Sequence, residues 1–248
     1  MSIVGDLRSL AARDGDAREL MDDPDADPEA IARTYARFEL VNAIVSGHRE
    51  TYERWVRPRL SPVWRTRVLD VGTGAADLPR RLLRWAAAED LRLEVVGIDP
   101  DSRAIDAARA QQERDPVPGL ELRRVATSVL ADAGERFGVV LSNHVLHHLD
   151  GREFGRLLAD SERLVAPGGV AVHGDIARTR WGYAGFAAGT WPFEWSLLRG
   201  TYIRPDGLTS IRRSFTAREL AVLLPRGWRV RRAFPSRLEV VWRPEPRP

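Results

Sequence analysis

Cysteine and lysine are both absent from the 248 residues of this chain. Without cysteine, neither a disulfide framework nor a thiolate metal site can form, which fits a reducing cytoplasm. Long apolar runs are also absent, and the first residues turn polar at Asp6, so we expect no membrane span and no signal peptide. These absences predict a cytoplasmic protein without stable membrane insertion and without a bound metal.

All 38 basic residues are arginine, and the net charge is only +3. Arginine does not titrate below about pH 12, so the basic isoelectric point exaggerates the positive charge. Residues 1–50 contain 11 acidic residues and 6 arginines, whereas residues 178–248 contain 14 arginines and 5 acidic residues. This asymmetry of charge is typical either of an electrostatic field that attracts an anionic substrate or of helix faces exposed to solvent.

Two short apolar runs each end in a carboxylate. The first is VLDVGTGAAD over residues 68–77, and the second is VVGID over residues 95–99. Glycine lets the backbone turn sharply beneath a ligand, and the free N–H groups of the following helix face that ligand. Asp99 falls where an α/β fold offers a carboxylate to the two hydroxyls of a ribose. The pattern predicts a nucleotide-type cofactor site, and its alternative is a plain turn formed by Gly and Asp.

Asp77 separates two classes of cofactor. A dinucleotide motif has a third glycine at that position, because a pyrophosphate lies against the helix N-terminus. Asp70 and Asp77 would repel a pyrophosphate but attract a cationic cofactor. Residues 68–77, with Asp99 at 29 positions after Asp70, resemble the S-adenosylmethionine motif of class I methyltransferases. The resemblance implies a cofactor site formed by Asp70, Gly72, Thr73, Gly74, Asp77, Asp99, Pro100, Ala126, Thr127 and Asn143.

Strand and helix patterns alternate between residues 67 and 173. Strands are predicted over residues 67–71, 93–98, 120–124, 137–142 and 170–173, and helices over residues 78–88, 102–113 and 152–164. Such alternation predicts an α/β fold with a doubly wound parallel sheet. Ligands bind beyond the carboxyl ends of the strands in such a sheet, which is where Asp70, Asp99 and Asn143 fall.

Two segments lie outside this alternation. Residues 1–66 have a helical pattern and predict an N-terminal cap over the cofactor cleft, before a domain spanning residues 67–248. Residues 181–202 are rich in aromatics and glycine and predict a loop that is either buried against the protein or covers a pocket, within a substrate lid over about residues 178–215. A helix over residues 216–224 and strands over 228–233 and 238–242 follow. The family resemblance implies that these strands close a seven-stranded, mostly parallel Rossmann-like sheet as an antiparallel hairpin.

Candidate general bases lie at the predicted ligand edge. The segment HVLHHL over residues 144–149 follows Asn143, and in the resembling family it runs under the methionine part of the cofactor. His147 and His148 are adjacent, so only one faces the site if the segment is helical. His173, at the end of the fifth strand, and Asp206 complete the candidates. Each histidine is equally compatible with a structural hydrogen-bonding role.

Further resemblances concern the substrate. Residues 38–49 are similar to the entry segment of ubiquinone/menaquinone-biosynthesis C-methyltransferases, although Phe38-Glu39 replaces the usual Tyr-Asp. Residues 174–178 and 204–216 are similar to small methyltransferases associated with type III polyketide synthases. These resemblances imply substrate contacts at Asn42, Arg49, Asp175 and Arg178, and Trp191 of the aromatic segment is a further candidate.

The sequence therefore predicts S-adenosylmethionine-dependent methyl transfer to an oxygen or carbon of an aromatic, quinol-like or polyketide small molecule in secondary metabolism. DNA-amine methyltransferases place Pro-Pro-aromatic after the asparagine, and this chain has His144-Val145, so we expect no nucleic-acid partner. Methylation of a macromolecule and a non-catalytic, cofactor-binding accessory protein of a biosynthetic complex are the alternatives. The acceptor and the oligomeric state stay open, with a homodimer as one alternative.

Overall fold

The structure, a computed structural model, describes residues 10–245 and their side chains apart from those of residues 38–45. The chain begins with helical elements: a 3-10 turn at Leu20–Asp22, helix α1 at Pro28–Val45, helix α2 at His48–Thr51, a π-helical turn at Tyr52–Val56 and a 3-10 turn at Arg57–Arg59. The predicted helical character of this segment is confirmed over these elements.

Seven strands form one sheet in the order β3-β2-β1-β4-β5-β7-β6. They are β1 (Thr66–Val71), β2 (Leu93–Ile98), β3 (Leu120–Arg123), β4 (Phe137–Asn143), β5 (Val165–Ile176), β6 (Arg229–Ala233) and β7 (Arg237–Trp242). The first five strands pair in parallel, and β7 and β6 form an antiparallel hairpin at the end of the sheet. The predicted doubly wound sheet is confirmed.

Helices connect the strands. They are α3 (Asp77–Ala88), α4 (Ser102–Arg114), α5 (Thr127–Asp132), α6 (Gly151–Leu164), α7 (Arg180–Thr190), α8 (Ile203–Arg213) and α9 (Ala217–Leu223). Local sequence explains where several begin. Asp150 and Glu153 form a capping box at the start of α6, and Asp101 accepts a hydrogen bond from the backbone N–H of Arg103 at the start of α4. Among the described residues, no helix is long and apolar enough to cross a membrane.

The chain divides into two compact units. The first, here called the N-terminal unit, runs up to Ser46 and includes Asp175–Leu224 and Val230–Glu239. The second, the sheet unit, comprises Gly47–Gly174, Pro225–Arg229 and the chain from Val240 onward. Residues 47–66 group with the sheet unit, because Tyr52, Trp55 and Val56 join its hydrophobic core. The domain boundary predicted at residue 66 stays a prediction.

The segment predicted to be a loop is helical and partly exposed. Helix α7 is capped by Thr179, whose side chain accepts a hydrogen bond from Gly182 N, and it buries Tyr183 and Ala187 at helical spacing. A 3-10 turn at Trp191–Phe193 follows. The loop prediction was wrong because the glycines of α7 mask its apolar stripe. Four aromatic side chains of the segment, those of Trp181, Trp191, Phe193 and Trp195, are exposed, so burial does not apply to them and the lid stays a prediction.

Candidate active site at the edge of the sheet

The carboxyl ends of β2, β1 and β4 lie side by side. Val71 of β1 pairs with Ile98 of β2 and with Ser142 of β4. The residues that follow these three positions are therefore neighbours at one edge, namely Gly72, Asp99 and Asn143. Asp99 and Asn143 thus lie at the edge where parallel sheets bind ligands, as the sequence predicts, and their roles toward a ligand stay predictions.

Residues 72–76, here called the cofactor turn, lead from β1 into α3. Gly72, Gly74 and Ala76 all adopt positive φ, at +68°, +55° and +64°. The backbone N–H groups of Gly72 and Thr73 both donate to the carbonyl of Ile98, at 2.8 and 3.0 Å, which ties the turn to β2. A Cβ at residue 74 would have no atom within 4 Å. Open space therefore lies beside Gly74, at the N-terminus of a twelve-residue helix.

The Asp99 carboxylate closes one side of this space. Its Oδ2 accepts the N–H of Gly74 at 3.1 Å, and its Oδ1 accepts the N–H of Asp101 at 2.9 Å. Burial raises the pKa of Asp99, against the lowering effect of these two hydrogen bonds. Each carboxylate oxygen has two acceptor positions, so each retains one for a ligand hydroxyl. Asp99 is thus held rigidly with spare acceptor capacity.

The Asp70 carboxylate lies within β1 and is 3% exposed. Burial raises the pKa of Asp70 to about 7, the nearby Thr73 side chain lowers it, and the charge of Asp99 raises it further. A buried carboxyl group with a pKa close to neutrality is poised to ionise when a cation comes near. The site therefore has two carboxyl groups that favour a cationic ligand.

The environments of the other predicted cofactor residues say less about a ligand. Asp77 is the half-buried first residue of α3, Asn143 is the half-buried last residue of β4, and Pro100 and Ala126 are exposed. The hydroxyl of Thr127 donates to the carboxylate of Asp160 at 2.7 Å, so the structure favours a structural role for it. The roles of these residues toward a cofactor stay predictions.

Residues 143–148, here called the β4 turn, carry two of the candidate bases. The backbone N–H of His144 donates to the carbonyl of Gly174 at 3.0 Å, and a 3-10 turn follows at Leu146–His148. His147 is 2% exposed, whereas His148 is exposed, and their ring centroids are 4.2 Å apart. Burial is the main influence on the pKa of Asp99, and the charge of His148 lowers that pKa less than the two hydrogen bonds do, so this histidine lies within electrostatic reach of the carboxylate at the cofactor turn.

His173 has a different environment. The ring is fully buried and stacks on Trp228 at 5.7 Å. Its Nδ1 lies 2.9 Å from the hydroxyl of Ser142, and its Nε2 lies 3.0 Å from the hydroxyl of Ser161. Ser161 donates its own hydrogen to the carbonyl of Leu157, so it accepts from Nε2, and Ser142 donates to Nδ1. Burial lowers the pKa of His173 to about 3. The geometry favours a neutral, structural histidine over the predicted base.

Asp206 ties distant segments of the N-terminal unit together. It is 5% exposed, and its two oxygens accept the backbone N–H groups of Leu20 at 2.7 Å and Met21 at 3.0 Å. Burial raises the pKa of Asp206 to about 6. Both oxygens cap a 3-10 turn, so the structure favours a structural role for this residue over the predicted base.

Arg178 and Asp175 are likewise buried in the N-terminal unit. The guanidinium of Arg178 donates to the carbonyls of Ser214 and Leu10 and forms an ion pair with Glu219. Asp175 is 3% exposed and accepts the backbone N–H of the next residue. The substrate role predicted for both residues stays untested, and the contacts of Arg178 favour a structural role.

The remaining predicted substrate residues are dispersed. The Arg49 side chain pairs with Glu53 and lies 5.3 Å from the ring centroid of Trp85, a residue eight positions after Asp77 along α3. That spacing corresponds to about 12 Å along a helix, so Arg49 lies away from the cofactor turn. Trp191 is 56% exposed, and the side chain of Asn42 lies outside the described residues.

Val145 is the site residue that sequence reasoning missed. A Cβ at residue 72 would lie 2.5 Å from the Cγ2 atom of Val145, so the β4 turn packs directly on the cofactor turn. No pattern in the sequence links residues 72 and 145. Only the adjacency of β1 and β4 in the sheet indicates that the two turns meet.

Comparison with known families agrees with this geometry. Residues 68–169 match a family described as methyltransferase domain. The chain is 34% identical over 118 residues to a ubiquinone biosynthesis O-methyltransferase of Rhizobium etli, which is 48% of this chain and 44% of that protein. It is 32% identical over 144 residues to the protein of the same name from Azorhizobium caulinodans, covering 58% and 53%. The chain thus spans about half the length of the curated relatives it matches.

Solved structures extend the likeness in fold. The plantazolicin methyltransferase BpumL in complex with SAH has a TM-score of 0.61 and 14% identity, with 96% of this chain and 97% of that chain covered. An O-methyltransferase family protein from Burkholderia thailandensis has a TM-score of 0.59 and 18% identity, with 87% and 59% covered. At these identities the likeness establishes the fold.

Proposed function

We propose that this chain, which carries a class I S-adenosylmethionine-dependent methyltransferase domain, transfers a methyl group to an oxygen or carbon of an aromatic, quinol-like or polyketide small molecule. The observation that carries this proposal is the pair of carboxyl groups, Asp70 and Asp99, beside the open space at Gly74. The names of the two relatives, which are both O-methyltransferases, support oxygen as the acceptor atom.

The residues present fit this cofactor. A pyrophosphate would meet two carboxylates and a half-buried Asp77, whereas a cofactor without phosphate and with cationic groups is attracted by them. When bound, S-adenosylmethionine supplies an electrophilic methyl group on a sulfonium. Asp99 would accept hydrogen bonds from the ribose hydroxyls with its spare acceptor positions, and Asp70 would supply negative charge from the floor of the site.

The protein contributes alignment and one proton acceptor. Methyl transfer is an in-line displacement, so the rate depends on holding the nucleophile, the methyl carbon and the sulfur in line. A phenol ionises near neutral pH with modest help from one base. We assign this role to His148, because it is exposed and within electrostatic reach of Asp99, and we keep His147 as the alternative.

We further propose that the N-terminal unit binds the acceptor. Its two parts, the segment up to Ser46 and the lid region, are joined by several contacts. Tyr202 N donates to the Thr34 hydroxyl at 2.9 Å, and the Arg33 side chain donates to the carbonyl of Gly200 at 2.9 Å. These contacts support the prediction that the segment and the lid work together, with exposed aromatic rings such as Trp191 as apolar contacts for a ring-shaped substrate.

A panel of acceptors tests the proposal. The full chain is incubated with S-adenosylmethionine and phenols, catechols, quinols and polyketide aromatics, and S-adenosylhomocysteine formation is measured. We expect turnover with at least one ring hydroxyl compound and none without acceptor. Turnover only with protein or nucleic acid would support the macromolecule alternative, and tight cofactor binding without any turnover would support the accessory-protein alternative.

A further inference from the structure

The cofactor turn and the β4 turn pack against each other at one atom, Cγ2 of Val145. At Gly72 a Cβ would lie 2.5 Å from Cγ2 of Val145, while ordinary van der Waals contact begins at 3.4 Å. Gly74 also has positive φ, yet a Cβ there would meet nothing within 4 Å. The two glycines of this motif therefore face different surroundings: Gly72 faces a side chain of the protein, and Gly74 faces open space.

Neither turn is free to move away. The cofactor turn is held by the two hydrogen bonds to the carbonyl of Ile98. The β4 turn is held to β5 by the hydrogen bond from His144 N to Gly174 O. His144 has φ of +60°, a conformation that a residue with a side chain rarely adopts, and it directs the chain so that Val145 lies over Gly72. A side chain at residue 72 would therefore force Cγ2 of Val145 to move, either by rotation of its stiff β-branched side chain or by displacement of the β4 turn.

A displacement of Val145 would also move the two candidate bases, His147 and His148. The carbonyl of Val145 accepts the backbone N–H of His148 at 3.0 Å, and Val145 is the N-cap residue of the 3-10 turn that carries both histidines. About 0.9 Å of movement is needed to restore contact at residue 72. A shift of that size is large compared with the tolerance of a catalytic arrangement.

We propose that Val145 is a positioning residue. Its side chain occupies the space that a Cβ at residue 72 would need, and this contact positions the β4 turn, with His147 and His148, against the cofactor turn. Glycine at residue 72 is then required by Val145, whereas glycine at residue 74 is required by the cofactor. This inference rests on the proposed function for the identity of the cofactor but not for the contact itself.

A double-mutant cycle tests the inference. The variants are Gly72→Ala, Val145→Ala and the combination of both. Gly134→Ala is the matched control, because Gly134 has φ of +73° and a Cβ there would meet nothing within 4 Å. Thermal unfolding, calorimetric binding of S-adenosylhomocysteine, and the NMR signals of the His147 and His148 rings are measured on the full chain.

We expect Gly134→Ala to lower Tm by about 2–4 °C, which is the effect of the backbone conformation alone. Gly72→Ala should lower Tm by at least twice as much, shift the ring signals of His147 and His148, and weaken S-adenosylhomocysteine binding by about tenfold or more. Adding Val145→Ala should return the signals toward the wild-type positions and bring binding to within about threefold of the Val145→Ala single variant.

A double variant as impaired as Gly72→Ala in all three measurements would overturn the inference, as would a Gly72→Ala variant that behaves like Gly134→Ala. If Gly72→Ala alone does not fold, folding of the double variant supports the inference and its failure to fold contradicts it. Failure of the wild type to bind S-adenosylhomocysteine would instead refute the proposed function, while unfolding and ring signals still decide the role of Val145.

Discussion

Ionisation of Asp70 should control cofactor affinity. Its pKa is raised from 3.8 to about 7, chiefly by burial. That shift corresponds to ~4 kcal/mol of difference in how the folded protein stabilises the two protonation states. A cationic cofactor favours the ionised form, so binding should release a proton from Asp70 when the pH is below about 7.

The pH dependence of binding follows from the same pKa. Above about pH 7 Asp70 is ionised, and affinity for S-adenosylmethionine should be nearly constant. Below it the ionised fraction falls about tenfold per pH unit, and affinity should fall in parallel. The stability of the ligand-free protein has the opposite pH dependence to the affinity. A raised carboxyl pKa contributes stability that is complete below 3.8 and lost as the pH rises through about 7.

Isothermal titration calorimetry over about pH 5.5 to 8.5 measures the effect, and buffers of different ionisation enthalpy report the released proton. Asp70→Asn is the matched control, since the amide resembles the neutral acid in shape. The Asp70→Asn variant should bind S-adenosylmethionine weakly at every pH, and without ligand it should unfold at a higher temperature than the ligand-free wild type near pH 8. A wild-type affinity that is flat across this range, or that increases as the pH falls, would refute the reasoning.

Three further predictions follow from the site. Asp99→Ala should weaken S-adenosylmethionine binding by ~1.5–3 kcal/mol for each ribose hydrogen bond lost, and unchanged affinity by calorimetry would remove Asp99 from the site. His148→Ala should lower turnover by about 10²–10⁴ with cofactor affinity nearly unchanged, and His147→Ala should have the smaller effect; steady-state kinetics in which both variants equal the wild type would exclude either as the base. Because burial raises the pKa of Asp206 to about 6, its contribution to stability should be lost as the pH rises from about 4 to about 6, so thermal unfolding of Asp206→Asn should vary less with pH than that of the wild type. An equal variation in both proteins would contradict this account of Asp206.

Local patterns predicted the sheet and the cofactor turn well, because both depend on residues close in sequence. The apolar run before Asp70 forms β1, and the glycines after it form the turn. Helix α7 was not predicted, since its glycines weaken the apolar stripe, and Ile203–Arg213 was not recognised as a helix.

Roles that depend on distant contacts were beyond the sequence. Arg178 is held by the carbonyl of Leu10, 168 positions away, and Asp206 by the N–H groups near residue 20. His173 has the residue type and strand-end position of a base, and only its two serine partners and its burial distinguish it from His148. Sequence position indicated that both histidines lie at the edge of the sheet, but not which of them faces solvent.

Titration of S-adenosylmethionine into the full chain, in parallel with Gly74→Val, tests the central claim most directly. The space beside Gly74 is open, so valine, although strained by the φ of +55°, should leave the sheet folded by circular dichroism but occupy the volume assigned to the cofactor. We expect saturable binding near pH 8 to the wild type and loss of binding in the folded variant. Normal binding of S-adenosylmethionine by a folded Gly74→Val protein, or no binding by the wild type, would contradict it.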